Sequence, residues 1–454
     1  MSLMVSISGI RGIVGESLTP ETIIKYSAAF AEYCNYGTII VGRDGRITGS
    51  SISDIVVSTL LQSGCNVISL GICPTPTVGL AIEKLHAAGG IVITASHNPM
   101  IWNGLKFMGS SGMFLNSEEN KKFWSIADRG KFSYKPWNKQ GKLTRDPEFI
   151  NEHIKAILTL PSINRTQIAK RKFKIVLDCV NTAGGVIVPT LLRRLGCEVI
   201  EMNCEVNGVF SHTPEPIPEN LTELCERVQK EKADLGIAVD PDVDRLVLIT
   251  EEGKPFVEEY TIVSSTKFIL EAEKQLGRTN HSVVVNLSTT RAVEDVAAEY
   301  RATVHRTAVG EINVASAMKQ LNSVIGGEGS GGVILPEVHL GRDAIVGIGL
   351  FLQLLTNFGG KASALKASLP QYEIVKNKIE LGSLKPDEIL QRLYEKYSKS
   401  EKTNFDDGLK IDFPTSWVHL RKSNTEPIIR IIAEAKTKDE ATALVNRFQQ
   451  EIFG

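Results

Sequence analysis

The sequence predicts an α/β protein of several domains that ends in a smaller α+β domain. Three observations lead there. Short runs of Val, Ile and Leu alternate with stretches whose apolar residues recur at helical spacing. Each run passes directly into a polar or glycine-rich loop, which is the order of strand, loop and helix in parallel or mixed sheets. The last stretch of about 90 residues breaks this rhythm, with one helix enclosed among strands and another at the end. A length of 454 residues corresponds to about three or four domains of ordinary size.

The elements follow in order. Residues 38–42 (Thr-Ile-Ile-Val-Gly) read as a strand, and the loop Arg43-Asp44-Gly45-Arg46 follows. Residues 50–64 carry Ile55, Val56, Leu60 and Leu61 at helical spacing, and 66–70 return to strand. Residues 91–93 are a strand that ends at Thr94-Ala95-Ser96-His97-Asn98-Pro99, where proline stops regular structure. Strands at 174–178, 235–239 and 282–286 run into polar loops in the same way, the second of them into Asp240-Pro241-Asp242-Val243-Asp244-Arg245. Polar residues thus gather at the carboxyl ends of strands, where open α/β sheets bind ligands. The three successive α/β segments are of similar size, compatible with distant duplication. Linkers are expected at Asp146-Pro147, at 251–255 and at 363–368. The domains read as 1–148, 149–251, 252–366 and 367–454, the last with a helix near 386–397, strands across 408–432 and a helix from Asp439.

Composition narrows the class. Hydrophobic residues make up 42% and charged residues 23%, and 51 basic residues balance 52 acidic ones to a net charge of −1. That balance gives no reason to expect nucleic acid or an anionic membrane as partner. Cysteines at 34, 65, 73, 179, 197, 204 and 225 are odd in number and form no CxxC pair, which favours free thiols in a reducing cytoplasm. No apolar run approaches the length of about 20 residues needed to span a bilayer, and the start of the chain lacks the charged region of a signal peptide.

Four loops carry chemistry. Asp240, Asp242 and Asp244 stand at i, i+2 and i+4, which in an extended segment places three carboxylates on one side. Such a cluster repels itself without a cation, and its hard oxygens select Mg²⁺ or Ca²⁺. An EF-hand is excluded, because Arg245 occupies the sixth position where glycine is required and 246–249 read as a strand. Ser96 is set at a strand end, without the G-x-S-x-G of an α/β hydrolase. The adjacent His97 is poorly placed to serve as its base, so Ser96 is read as a carrier of phosphate. Gly327-Glu328-Gly329-Ser330-Gly331-Gly332 matches G-x-G-x-x-G only formally, since no helix follows; its glycines let Glu328 and Ser330 project, a carboxylate and a hydroxyl suited to vicinal sugar hydroxyls. Arg421, Ser423, Asn424, Thr425 and Arg430 combine two guanidinium forks with small donors, which suits a nonreacting phosphate. Arg11 and the Arg43–Arg46 turn are weak signals alone. Lys106 follows Ser96 by ten positions, either returning to the site or simply solvated.

Together these loops resemble the α-D-phosphohexomutase family across essentially the whole chain and in the expected order. T-A-S-H-N-P matches residues 94–99, D-x-D-x-D-R matches 240–245, G-E-x-S-G matches 327–331, and R-x-S-x-T-E-P with a following arginine matches 421–430. The resemblance implies four domains around a central cleft, three related α/β domains with mixed sheets and a smaller C-terminal α+β domain. It implies phosphate on Ser96, with Mg²⁺ held by Asp240, Asp242, Asp244 and a phosphoryl oxygen on Ser96. Glu328, Ser330 and Gly310 would contact the sugar. Arg421, Ser423, Asn424, Thr425 and Arg430 would hold the second phosphate, and Arg11, His97, Lys106 and Arg245 would assist transfer. Hexose 1,6-bisphosphate would be intermediate and activator, sugar phosphates the only partners, and the protein a monomer or homodimer. Two departures stand out. Gly332 replaces the histidine of many relatives, so a ligand or proton-handling group is missing there. Residues 307–311 (Thr-Ala-Val-Gly-Glu) resemble the T-x-V-G-D loop of phosphoglucosamine mutases with Glu311 for Asp. Glucosamine phosphate is therefore the expected substrate, with phosphomannomutase/phosphoglucomutase activity the alternative; a non-catalytic sugar-phosphate binding protein or a phosphatase are the competing classes.

Overall fold

The computed structural model describes residues 3–279, 281–382, 384–422 and 428–454. Its first three sheets share one four-strand unit. In the first, Ile39–Arg43, Val67–Ile72, Gly89–Ile93 and Trp102–Gly109 lie in the spatial order fourth, third, first, second. The first strand pairs parallel to the second and third, and the third pairs antiparallel to the fourth. Lys174–Asp178, Glu198–Met202, Leu235–Val239 and Leu246–Thr250 repeat that order and those directions. So do Ser282–Asn286, Thr303–Thr307, Ile325–Glu328 and Gly332–Ile334. A helix crosses over between the parallel strands each time, as such pairing requires. The mixed sheets and the relation among the three segments agree with the sequence reading.

The first sheet is extended at both edges. The hairpin Met4–Ser6 with Gly9–Ile13 joins Trp102–Gly109, and Leu143–Arg145 joins Val67–Ile72. The fourth sheet is antiparallel throughout, in the order Glu373–Glu380, Ile428–Ala435, Trp417–Lys422, Leu409–Asp412, Lys402–Asn404, with helices Pro386–Tyr397 and Lys438–Phe453 contributing to its core. The stretch expected as a linker at 363–368 is instead the helix Ala362–Ala367. Ala362 and Leu365 are apolar residues three apart and both are buried in the core, so packing fixes the segment.

The cores show which units share apolar packing. One apolar cluster runs through the second and third units, from Leu177 and Leu191 to Phe256, Val285 and Phe351. Another joins the first and third, with Val78 and Leu80 against Met318 and Ile334. Helix Ala344–Phe358, buried continuously from Ala344 to Leu355, sits in the shared core. Its start is fixed by Asp343, whose Oδ1 accepts from the amides of Ile345 and Val346 at 2.8 and 3.3 Å. The fourth unit keeps its cluster (Ile389, Leu409, Phe448) to itself. Among the described residues its contacts with the third unit include Ser288 Oγ to His419 Nδ1 at 2.8 Å, the Val309 amide to Asp407 at 3.0 Å, and Lys376 to Glu258 at 3.2 Å. Polar contacts exchange with water at small net cost, whereas separating a shared apolar core costs about 25 cal/mol for each Å² exposed.

Candidate active site

The repeated unit explains why four separated motifs meet. The turn between the third and fourth strands is residues 94–101 in the first unit, 240–245 in the second and 329–331 in the third. The Ser96, aspartate and Ser330 loops are therefore topological equivalents at the carboxyl ends of equivalent strands. They converge on a cleft of ≈ 430 Å³ whose walls include Arg11, His97, Lys106, Arg245, Gly310, Glu328, Ser330, Arg421 and Arg430.

Ser96 is buried, and its backbone is left-handed at φ +49°, a conformation that costs a non-glycine residue about 1–3 kcal/mol. Its surroundings hold it there. The Ser96 amide donates to Thr94 Oγ1 at 2.9 Å, and Thr94 Oγ1 donates to Asp44 at 2.6 Å. Arg46, fully buried and paired with Asp44 at 3.1 Å, donates to the carbonyls of Ser96, Asn98, Pro99 and Trp102 at 2.6, 2.7, 2.8 and 2.9 Å. The Arg43–Arg46 turn, a weak signal in the sequence, is thus the scaffold of the serine loop. Ser96 Oγ donates to Asp240 Oδ2 at 3.2 Å and lies 3.3 Å from His97 Nδ1. Sequence adjacency suggested that His97 was poorly placed to serve as the base of Ser96. The two side chains nevertheless lie side by side, with the Ser96 backbone left-handed. Burial, then the guanidinium groups of Arg245 and Arg11, push the His97 imidazole down to about 2, so it is neutral.

The aspartate loop converges by a different geometry from the extended segment expected. The chain turns: the Val243 amide bonds to the Asp240 carbonyl at 3.1 Å, and Asp240 Oδ1 accepts from the amides of Asp244 and Arg245 at 3.1 and 3.2 Å. Val243 takes φ +62° although β-branched. Three units anchor the loop: Thr75 donates to the Asp242 carbonyl at 2.9 Å, Thr182 Oγ1 to the Pro241 carbonyl at 2.9 Å, and the Ala344 amide to the Val243 carbonyl at 3.2 Å. All three carboxylates are fully buried, and each offers an oxygen within 4.8 Å of the others. Burial, then Asp244 and Asp242, raise the Asp240 carboxyl well above its ordinary range. Burial would raise Asp242 too, but Lys106 Nζ at 2.6 Å and Thr75 Oγ1 at 2.5 Å hold it low. Asp242 Oδ1 and Asp244 Oδ1 are buried without a hydrogen-bond partner. Unpartnered hard oxygens in a carboxylate cluster that Ser96 Oγ reaches through Asp240 fit a divalent cation such as Mg²⁺.

Lys106 reaches this cage because its strand returns antiparallel to Gly89–Ile93, with Lys106 opposite Val92. Arg11 comes from the edge hairpin, opposite Gly104, and donates to Asn98 Oδ1 at 3.1 Å. Glu328 Oε1 accepts from Asn286 Nδ2 at 2.8 Å and from the Gly310 amide at 3.0 Å. Across the cleft, Arg421 and Arg430 are cross-strand partners, and Arg421 pairs with Asp407 at 2.9 Å. Ser423, Asn424 and Thr425 lie outside the described residues.

Sequence reasoning missed three further groups. Arg342, beside the capping Asp343, enters the cleft and bonds Asp244 and Glu328; no motif announced it. Glu259, which burial pushes up to about 8, lines the cleft opposite Lys376 of the fourth unit at 3.6 Å. Thr75, at the start of a helix, carried no signal other than its position after a strand.

Comparison with known proteins covers nearly the whole chain. Profiles described as Phosphoglucomutase/phosphomannomutase match in order: alpha/beta/alpha domain I at residues 4–134, domain II at 151–253, domain III at 259–372 and the C-terminal domain at 375–451. A protein of Methanopyrus kandleri named probable phosphoglucosamine mutase is 37% identical over 445 residues, covering 97% of this chain and 96% of its own. A phosphoglucomutase/phosphomannomutase of Thermococcus kodakarensis is 37% identical over 440 residues, covering 95% and 94%. Among solved structures, a phosphoglucomutase/phosphomannomutase family protein of Burkholderia thailandensis superposes with a TM-score of 0.85 over 99% of this chain and 98% of its own, at 22% identity, a likeness of fold.

Proposed function

The chain belongs to the phosphoglucomutase/phosphomannomutase family and is a phosphohexomutase, and from that premise we propose that it interconverts glucosamine 6-phosphate and glucosamine 1-phosphate through a phosphate carried on Ser96. The observation that supports this most is the approach of Ser96 Oγ to Asp240 Oδ2 at 3.2 Å, although 144 positions separate them in sequence.

In this reading the bond from phosphorus to Ser96 Oγ breaks as a sugar hydroxyl oxygen bonds to phosphorus. The resulting hexose 1,6-bisphosphate reorients within the cleft and returns its other phosphate to Ser96; added bisphosphate serves as activator. Mg²⁺ bound by Asp240, Asp242 and Asp244 supplies charge neutralisation for the transferring group. Arg11 and Arg245 bind the phosphoryl oxygens, and Lys106 binds phosphate, its Nζ giving a proton to the departing Ser96 Oγ and taking the one released by the sugar hydroxyl. Neutral His97 orients Ser96 Oγ. Glu328, Ser330 and the Gly310 amide hold the sugar hydroxyls, while Arg421 and Arg430, with Ser423, Asn424 and Thr425, hold the phosphate that is not reacting. The fourth unit closes on the sugar to exclude water, which separates a mutase from a phosphatase; its separate core and polar contacts with the third unit support such movement. The seven free thiols support a reducing cytoplasmic setting. Among the described residues no helix is long and apolar enough to cross a membrane.

Glucosamine phosphate is preferred because the 307–311 loop resembles that of phosphoglucosamine mutases and the Methanopyrus relative bears that name. The name of the Thermococcus relative supports glucose and mannose phosphates as the second reading. One experiment tests both: purified protein with Mg²⁺ and hexose 1,6-bisphosphate is assayed on glucosamine, glucose, mannose and N-acetylglucosamine phosphates. The expected result is highest kcat/KM for glucosamine phosphate, lost in Ser96→Ala with the fold unchanged. Full turnover by Ser96→Ala would end the serine mechanism.

A further inference from the structure

Two departures from the family pattern, Gly332 in place of histidine and Glu311 in place of aspartate, meet at one side chain. A Cβ built on Gly332 would overlap Arg342 Cδ and lie 3.0 Å from its Cγ and 3.4 Å from its Nε. The space that a side chain at 332 would claim is filled by Arg342. The guanidinium group uses its planar fork on three carboxylates. Nη2 donates to Asp244 Oδ2 at 2.5 Å, Nη1 to Glu328 Oε2 at 2.8 Å, and Nε to Glu311 Oε2 at 3.1 Å. The Arg342 amide also donates to Glu311 Oε1 at 3.0 Å, so both oxygens of Glu311 are engaged. An aspartate at 311, one methylene shorter, would not span both bonds.

The backbone beneath Arg342 is fixed. The Asp343 amide donates to the Val333 carbonyl at 2.8 Å. Asp343 Oδ1 caps helix Ala344–Phe358, and its Oδ2 lies 2.7 Å from His153 Nε2 and 3.1 Å from His339 Nε2. Thr77 of the first unit lies 2.9 Å from His153 Nδ1. Arg342 therefore projects from a point where three units lock together, and its side chain is 11% exposed.

We propose that Arg342 is a positioning residue that replaces the missing side chain at 332, fixing Glu328 and Glu311 at the sugar end of the cleft and Asp244 at the cation end, and that Gly332 and Glu311 are the adjustments that accommodate it. Arg342 occupies Asp244 Oδ2 and leaves Oδ1 buried without a hydrogen-bond partner, the arrangement by which an outer hydrogen bond orients a ligand. The proposal rests on the phosphohexomutase reading of the cleft. It is tested in binding, so its outcome is separate from whether the enzyme turns over glucosamine phosphate.

The test is a double-mutant cycle in Ser96→Ala protein, with Kd for glucosamine 6-phosphate and, separately, for Mn²⁺ alone measured by calorimetry. Gly332→Ala, whose added methyl displaces Arg342, should weaken sugar-phosphate binding about tenfold, as should Arg342→Ala. The double variant should be no weaker than either single one, because the methyl then has nothing to displace. Mn²⁺ affinity should change in both single variants by the same factor and sense. Losses that multiply to about 100-fold in the double variant, or unchanged affinities in Arg342→Ala, would overturn the proposal. Should Arg342→Ala not fold, Glu311→Asp against Arg342→Lys provides a second cycle. Glu311→Asp should cost about threefold or more with arginine present and nothing with lysine, whose single ammonium cannot hold three carboxylates; equal costs in the two backgrounds would overturn it.

Discussion

Arg46 gives the sharpest prediction, because its surroundings allow a magnitude. Its side chain is fully buried, paired with the equally buried Asp44, and it donates to four carbonyls between residues 96 and 102. Arg46→Met removes the cation and leaves the Asp44 carboxylate in the interior with only the Thr94 hydroxyl and the Arg46 amide as donors. Leaving one member of a buried pair unpaired costs about 3–5 kcal/mol, and the four deprived carbonyls place the expected loss at the upper end. That is a large share of a typical stability of about 5–15 kcal/mol. The loss should be local first. Amide hydrogen exchange across 94–104 should accelerate before the third unit is affected, since the hydrogen bonds of the Arg46 side chain go to Asp44 and to carbonyls between residues 96 and 102 of the first unit. The freed Ser96 backbone should leave φ +49°, and a displacement of about 1 Å at a reacting oxygen costs about 100-fold in turnover. Arg46→Lys keeps the charge but not the fork, and should recover less than half of the stability. Arg46→Met combined with Asp44→Leu should be no less stable than Arg46→Met alone, because the orphaned charge is gone. The assays are denaturant midpoints, exchange by mass spectrometry and mutase turnover. An Arg46→Met protein with an unchanged midpoint, unchanged exchange at 94–104 and full turnover would refute the reasoning.

Other outcomes follow from the same geometry. Ser96→Gly should remove all mutase activity yet raise stability by about 1 kcal/mol, read as a higher melting temperature, because glycine adopts φ +49° without strain. Burial, then the nearby Arg421 and Lys410 cations, hold the His419 imidazole at about 4 instead of 6.5. The unfolded chain therefore binds a proton that the folded chain refuses between pH 6.5 and about 4, and stability falls as pH drops through that window. His419→Gln should flatten the difference, seen as a smaller change in denaturant midpoint between pH 7 and pH 4. Chelation by EDTA should abolish interconversion, restored by Mg²⁺ or Mn²⁺ but not by monovalent ions, and Mg²⁺ should raise the melting temperature by relieving repulsion among Asp240, Asp242 and Asp244. A melting temperature indifferent to Mg²⁺ at millimolar concentration would count against the cage.

Local chemistry is what the sequence by itself determined. Val- and Ile-rich runs ending in polar turns define strands such as 174–178 and 235–239 because side-chain period and β propensity act over a few residues. Three carboxylates within five positions demand a cation for the same short-range reason. The order of the motifs Ser96, Asp240–Asp244, Glu328–Ser330 and Arg421–Arg430 carried the family. Tertiary structure decided the rest, because it depends on residues far apart in the chain. The 4-3-1-2 strand order puts three unrelated-looking loops at one equivalent corner, which no window of sequence displays. Ser96 and Val243 hold left-handed backbones against their local preference because packing and hydrogen bonds from other units override it. Arg46 was a weak signal and Arg342 none, because an arginine beside a glycine or an aspartate is usually solvated. Their meaning comes only from the carbonyls and carboxylates that folding brings around them, in an interior where a guanidinium must be paired.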